Sequence, residues 1–161
     1  MKKIVLIRHA KSSWEHQVSD RDRPLKKRGL NDAKLVSQAF KTNDFEPDAV
    51  FSSPANRALT TCKIFMENLN IDLNRITIVE DLYDFGGESV VNFLKGLHDG
   101  YENVMIFGHN HAFTSICNIF GDTFIDNLPT SGLVVLKMNI NSWSDLSKGI
   151  TELTIFPRDL K

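Results

Sequence analysis

Cysteine is scarce in this sequence and long apolar segments are missing, and both absences bear on where the protein works. The two cysteines, Cys62 and Cys117, lie far apart in segments of helical pattern, so we expect buried thiols and no disulfide. The first apolar stretch, residues 4–7, is shorter than the roughly seven residues of a signal peptide or the roughly 20 of a membrane helix. We therefore expect a cytoplasmic protein that does not associate with a membrane.

An excess of charge of one sign is also missing. The 19 basic and 20 acidic residues give a net charge of -1, which does not indicate a nucleic acid partner. Hydrophobic residues make up 42% of the 161 residues, which is ordinary for a globular protein with one core. We predict a single domain over residues 1–161, in which any anion must be bound by a local group of cations.

Short apolar runs alternate along the chain with segments of helical period, which predicts βαβ units. Ser53 and Pro54 resemble a helix start, with Ser53 as the N-cap. The pattern predicts an α/β fold with three layers, in which a mainly parallel sheet carries helices on both faces and ends in an antiparallel strand pair. The predicted strands are 3–7, 48–52, 75–79, 102–107, 133–138 and 150–156, and the predicted helices are 26–40, 54–69, 88–98 and 109–120.

Cationic side chains follow three of the predicted parallel strands. Arg8 and His9 come after the first strand, Arg57 lies one turn into the helix after the second, and His109 follows the fourth. Ligands of such sheets bind beyond the carboxyl ends of the strands, where we expect these four residues to meet. Because clustered cations repel one another without a counter-ion, the pattern indicates a site for an anion such as phosphate.

Three segments resemble the motifs of the histidine phosphatase superfamily. They are residues 6–11 (LIRHAK), residues 52–61 (SSP followed by Arg57) and residues 108–110 (GHN). Residues 22–29, 127–132 and 153–160 further resemble its SixA-type branch, whose members act on phosphohistidine. The resemblance extends over nearly the whole chain and implies a phosphoglycerate-mutase-like fold and a phosphatase. Since the sequence has no carboxylate cluster suited to magnesium and no zinc-ligand spacing, we expect no metal or other cofactor.

The resemblance also implies the roles of the four cationic residues. His9 would be the residue that becomes phosphorylated, and Arg8, Arg57 and His109 would form the phosphate pocket. Neighbouring cations should lower the pKa of His9 and keep it neutral for attack. Arginines hold phosphoryl oxygens in a fork, and His109 beside a bound phosphoryl group is expected to hold its proton and donate it in a hydrogen bond.

A general acid is not identified by the sequence. Asp84 and Glu80 are candidates in residues 80–85, and Asp20 and Asp22 are candidates in a loop, although solvation or helix capping would explain each of them. An alkoxide leaving group depends on an acid more than the imidazole of phosphohistidine does. The lack of a clear acid, together with the lack of an insertion long enough for a lid, therefore favours phosphohistidine on a protein.

Two further patterns allow a functional and a structural interpretation. The basic residues within 20–28 form either a solvated loop and first helical turn or a rim that steers an anionic substrate towards His9. His109 and His111 are two residues apart and point in different directions, so we do not expect them to bind a metal.

Three functions remain open from the sequence. The leading hypothesis is a phosphatase that takes a phosphoryl group from phosphohistidine on a signalling protein and releases inorganic phosphate. The alternatives are a general phosphomonoesterase for small phosphorylated molecules, with the same His9 chemistry, and a non-catalytic phosphate-binding module.

Overall fold

The computed structural model describes residues 1–161 and contains six strands and four α-helices. The strands are β1 (Lys2–Arg8), β2 (Ala49–Ser52), β3 (Ile76–Ile78), β4 (Asn103–Gly108), β5 (Leu133–Met138) and β6 (Ile150–Ile155). The helices are α1 (Lys27–Lys41), α2 (Asn56–Asn68), α3 (Glu88–Lys95) and α4 (Ala112–Phe120).

All six strands form one sheet in the order β3-β2-β4-β1-β5-β6. The first four in this order are parallel, whereas β5 is antiparallel to β1 and β6 is antiparallel to β5. This confirms the predicted α/β fold with its antiparallel pair at the end of the chain. In the register of β1 with β4, Arg8 lies beside Gly108, so the residues that follow both strands emerge together.

Both faces of the sheet are covered, which explains why β1 is apolar without alternation. Ile4 and Leu6 pack into one buried cluster together with residues of α3 and α4, and Val5 and Ile7 pack into a second cluster with residues of α1 and α2. Cys117 belongs to the first cluster and Cys62 to the second, and both are buried free thiols as predicted.

Two predicted helix starts are wrong by a few residues. Helix α2 begins at Asn56 and not at Pro54, so its N-cap is Ala55 and not Ser53. The Ser53 hydroxyl accepts the Ala55 N–H and contacts His109. Helix α4 begins at Ala112, so His109 lies in the turn before it. None of the helices combines the length and the apolar character needed to cross a bilayer.

Candidate active site

The two arginines and two histidines that the sequence predicts to meet lie together at the carboxyl edge of the parallel strands; we call them the floor of the site (Arg8, His9, Arg57 and His109). Arg8, His9 and Arg57 line a cavity of about 170 Å³. His109 does not line this cavity, but its ring centroid lies 5.3 Å from that of His9. The other residues that line the cavity are Lys11, Ser12, Trp14, Arg23 and Thr130.

Backbone contacts at the ends of β1 and β4 fix the position of His9. The His9 N–H donates to the Gly108 carbonyl oxygen at 3.0 Å, and the Ser131 N–H donates to the His9 carbonyl oxygen at 3.2 Å. A Cβ atom at position 108 would lie 2.7 Å from the Phe113 ring, so only glycine allows α4 to approach the strand end this closely.

The His9 imidazole is held in one tautomer. Its Nδ1 lies 2.7 Å from the Ala10 carbonyl oxygen, and because a carbonyl only accepts, Nδ1 carries the hydrogen and Nε2 has a free lone pair. Burial lowers the pKa of His9 to about 3, and the charges of Arg57 and Arg8 act in the same direction. At neutral pH the ring is therefore uncharged and able to act as a nucleophile.

Both floor arginines have a buried nitrogen without a partner. Arg8 Nη1 donates to the Leu128 carbonyl oxygen at 2.8 Å, and the Arg57 Nη atoms donate to the carbonyl and carboxylate oxygens of Asp20 at 2.6 and 3.0 Å. The Nε atoms of Arg8 and Arg57 are buried and have no hydrogen-bond partner. Since an unpaired buried donor is costly, the floor retains hydrogen-bonding capacity that an anion would satisfy.

His109 is fully buried next to the Ser53 hydroxyl. Its Nε2 lies 2.8 Å from Ser53 Oγ, and its Nδ1 is buried without a partner. Burial lowers the pKa of His109 to about 3, and the nearby His9 and Arg57 lower it further. At neutral pH His109 is therefore a neutral ring, which still carries one N–H for donation.

Residues 12–25, which we call the rim loop, form one side of the cavity. An antiparallel bridge between Ser12 and Leu25 closes this loop at its base. Within it Arg23 is only 6% exposed and lines the cavity, where its Nε donates to the Ser13 carbonyl oxygen at 3.1 Å. Arg23 Nη1 donates to Asp20 at 3.2 Å, and Arg23 Nη2 donates to the Ser12 hydroxyl.

The basic residues within 20–28 do not form a free cationic rim. Arg21 pairs with Glu80, Arg23 with Asp20, and Arg28 with Asp32, which leaves Lys26 and Lys27 without a carboxylate partner in this segment. Sequence reasoning assigned Arg23 to a solvated loop or to a steering rim, and it missed that this residue is buried in the site. Asp22 and Pro24, which flank Arg23, belong to no periodic pattern that would have indicated the burial of Arg23.

Among the four acid candidates, Asp20 is the one that contacts a floor residue. Besides its bonds from Arg57 and Arg23, its carboxylate accepts a 2.5 Å hydrogen bond from the Tyr83 hydroxyl. Burial raises the pKa of Asp20, but the hydrogen bonds from Tyr83 and Arg57 outweigh this effect and lower the pKa to about 2. Asp20 is consequently ionised at neutral pH and has no proton to give to a leaving group.

The other three candidates make contacts elsewhere. The Asp84 carboxylate accepts the backbone N–H groups of Gly86, Gly87 and Val90 at 3.0 to 3.2 Å, which stabilises the start of α3. Glu80 pairs with Arg21. Asp22 accepts a 3.1 Å hydrogen bond from the Ser19 hydroxyl. No group of three or more histidine, cysteine or carboxylate side chains is arranged to hold a metal ion.

Residues 4–88, just over half of the chain, match the model of the histidine phosphatase superfamily (branch 1). The chain belongs to this superfamily. Membership supports phosphatase activity towards a phosphorylated substrate. An uncharacterized protein of Mycobacterium tuberculosis is 27% identical over 160 residues, which cover 93% of this chain and 98% of the relative.

Solved structures of superfamily members share the fold. The protein histidine phosphatase SixA in complex with tungstate superposes with a TM-score of 0.82 at 21% identity, over 99% of both chains. A SixA of Agrobacterium tumefaciens, named as a candidate phosphohistidine phosphatase, superposes with a TM-score of 0.75 at 26% identity, over 85% of this chain and 92% of that one. These likenesses confirm the predicted phosphoglycerate-mutase-like fold and the resemblance to the SixA-like branch.

Proposed function

We propose that this superfamily member is a phosphohistidine phosphatase that transfers the phosphoryl group of a phosphorylated signalling protein to His9 and then to water, without a metal ion. The observation that carries the proposal is the neutral His9 ring, held through Nδ1 by Ala10 and lining one cavity with Arg8 and Arg57. A nucleophile with a free Nε2 lone pair thus stands beside two guanidinium groups that match phosphoryl oxygens.

In the first step, His9 Nε2 forms a bond to phosphorus as the bond from phosphorus to the substrate's ring nitrogen breaks. The substrate ring takes a proton from solvent on its other nitrogen and leaves as neutral imidazole. Arg8 and Arg57 bind the phosphoryl oxygens, and the unpartnered Nδ1 of His109 donates to one of them once it carries the hydrogen.

In the second step, water attacks phosphorus and the bond from phosphorus to His9 Nε2 breaks. The ring leaves with the electron pair of that bond as neutral imidazole, because Nδ1 still carries its hydrogen, and the attacking water gives up a proton to solvent. Inorganic phosphate is the product. The hydrogen bond from His9 Nδ1 to Ala10 keeps the ring in place through both steps.

The ionisation and the hydrogen bonds of the general acid candidates support a preference for phosphohistidine. Asp20, the acid candidate in contact with Arg57, is ionised, and Asp84 is engaged by three backbone N–H groups. General acid help is worth about 10²- to 10⁴-fold, so an alkyl phosphate would lose that factor whereas phosphohistidine would not. The two SixA structures that share the fold are named for action on phosphohistidine or protein histidine, in agreement with this choice.

A substrate panel tests the proposal. We expect kcat/KM to be at least about 100-fold higher for a histidine-phosphorylated protein than for a sugar phosphate, with an aryl phosphate in between because its leaving group needs less acid help. The matched control is His9→Ala, which should turn over none of the three. A sugar phosphate as the best substrate would make the protein a general phosphomonoesterase, and phosphate binding without turnover would make it a binding module.

A further inference from the structure

We propose that Trp14 determines specificity at this site by stacking its indole ring on the aromatic ring of the leaving group. The inference rests on the proposed function and adds to it which part of the substrate the rim loop recognises. Trp14 belongs to none of the motifs that point to the floor residues, so those motifs assign it no role.

The first observation is the position of Trp14. It is 74% exposed, although it lines the same cavity as His9, Arg8 and Arg57. Of the eight residues that line this cavity, the other seven are buried or half-buried. A large aromatic side chain therefore stands at the open mouth of a cavity that is otherwise polar.

The second observation is that a fixed cation packs on the indole ring. The Arg23 guanidinium carbon lies 3.2 Å from the ring centroid of Trp14. Arg23 is itself fixed by hydrogen bonds from all three of its guanidinium nitrogens, to Ser13, Asp20 and Ser12. Since Trp14 is 74% exposed, much of the indole ring stays accessible to solvent, and the fixed cation orders the ring before a ligand arrives.

The third step is the geometry of phosphoryl transfer. The attacking and leaving atoms lie roughly in line on opposite sides of phosphorus. His9 is 9% exposed and Trp14 is 74% exposed in the lining of the same cavity, so a leaving group that points away from His9 Nε2 towards solvent comes to the side where Trp14 stands. A flat imidazole or aryl ring can stack on the indole ring, whereas an ammonia leaving group offers no ring and a sugar offers no aromatic one.

The experiment compares two compounds with the same phosphorus–nitrogen bond. Free phosphohistidine has a ring in its leaving group, and phosphoramidate has none. We expect Trp14→Ala to lower the ratio of their kcat/KM values by about 3- to 10-fold, mainly through KM of phosphohistidine, and Trp14→Phe to restore most of it. Phe124→Ala is the matched control, because Phe124 is 79% exposed and lines a different cavity.

Three outcomes would overturn the proposal. An equal loss with both compounds, or no loss, would mean that Trp14 only covers Arg23 or does nothing for substrate. A loss seen with a histidine-phosphorylated peptide but not with free phosphohistidine would place Trp14 against the flanking peptide instead of the leaving ring.

The result can be separated from a failure of the proposed function. If the wild type prefers phosphate esters to phosphohistidine, the same ratio is measured between phenyl phosphate and a methyl phosphate. A fall of that ratio in Trp14→Ala would then support the stacking role while the phosphohistidine assignment fails, and an unchanged ratio would reject both.

Discussion

The floor of the site and its rim loop are held together by different kinds of contact. In the floor, His9 is placed by the β1–β4 register and by hydrogen bonds from and to the backbone at the strand ends. In the rim loop, Arg23 and Asp20 are held by side-chain hydrogen bonds, and Trp14 is held by stacking on Arg23. The sheet therefore positions His9 for the proposed chemistry, whereas the proposed contact of Trp14 with substrate depends on a polar loop outside the sheet.

Arg57 of the floor donates hydrogen bonds to Asp20 of the rim loop, so this pair connects the two regions. Replacing Arg57 and replacing Asp20 should therefore affect activity differently. We expect Arg57→Ala to lower kcat by about 10²- to 10³-fold, because a donor to the transferring phosphoryl group is lost, and to weaken vanadate inhibition. Asp20→Asn should lower kcat by less than about 10-fold, since Arg57 keeps its charge. Steady-state kinetics with phosphohistidine measure both, and circular dichroism checks the fold.

Equal losses in the two variants would contradict this division of roles. An undiminished affinity for vanadate in Arg57→Ala would place the phosphoryl group elsewhere.

The floor histidines should also make folding sensitive to acid. An unfolded histidine titrates near pH 6.5, whereas burial holds the folded pKa of His9 and of His109 at about 3. As pH falls below about 6.5, the unfolded chain takes up protons that the folded chain does not, so the free energy of unfolding decreases. Each histidine contributes a loss of about 2 kcal/mol between pH 7 and pH 5.

Urea denaturation of the wild type and of His9→Asn over this pH range isolates the contribution of one histidine. The variant should show a pH dependence weaker by about 2 kcal/mol. Parallel curves for the two proteins would mean that His9 is not held neutral by burial.

The positions of the floor residues could be predicted because the sequence indicates where the strands end. Apolar runs mark the strands, and the polar residues that follow them, Arg8, His9 and His109, must lie at one edge of a parallel sheet. The burial of Arg23 could not be predicted, because it depends on partners within an aperiodic loop. The contact of Ser53 with His109 was likewise hidden, since a serine before a proline equally suits a helix N-cap.

Replacing Asp84 should affect activity less than replacing Arg57. It is also a control for Asp20, since both carboxylates accept several hydrogen bonds. Asp84→Ala removes the acceptor of three N–H groups at the start of α3, which should lower the free energy of unfolding by about 1 kcal/mol. Activity towards phosphohistidine should stay within about 3-fold of the wild type, because general acid help would be worth at least about 100-fold. A collapse of activity in a folded Asp84→Ala protein would identify Asp84 as a general acid.

The smallest effect is expected from chelation. In the proposed mechanism Arg8 and Arg57 supply the positive charge that the phosphoryl group needs, so dialysis against a chelator should leave kcat unchanged. If activity were lost on dialysis and restored by one divalent ion, a metal would supply part of the positive charge that we assign to Arg8 and Arg57.

The most direct test of the central claim is to trap the phosphoryl group on the protein. Rapid quenching at alkaline pH, after mixing with phosphohistidine labelled in its phosphoryl group, should give label on His9, identified by mass spectrometry of the peptide that contains it. The label should be acid-labile, should disappear as inorganic phosphate is released, and should be missing in His9→Ala. Label on another residue, or full turnover by His9→Ala, would contradict the account.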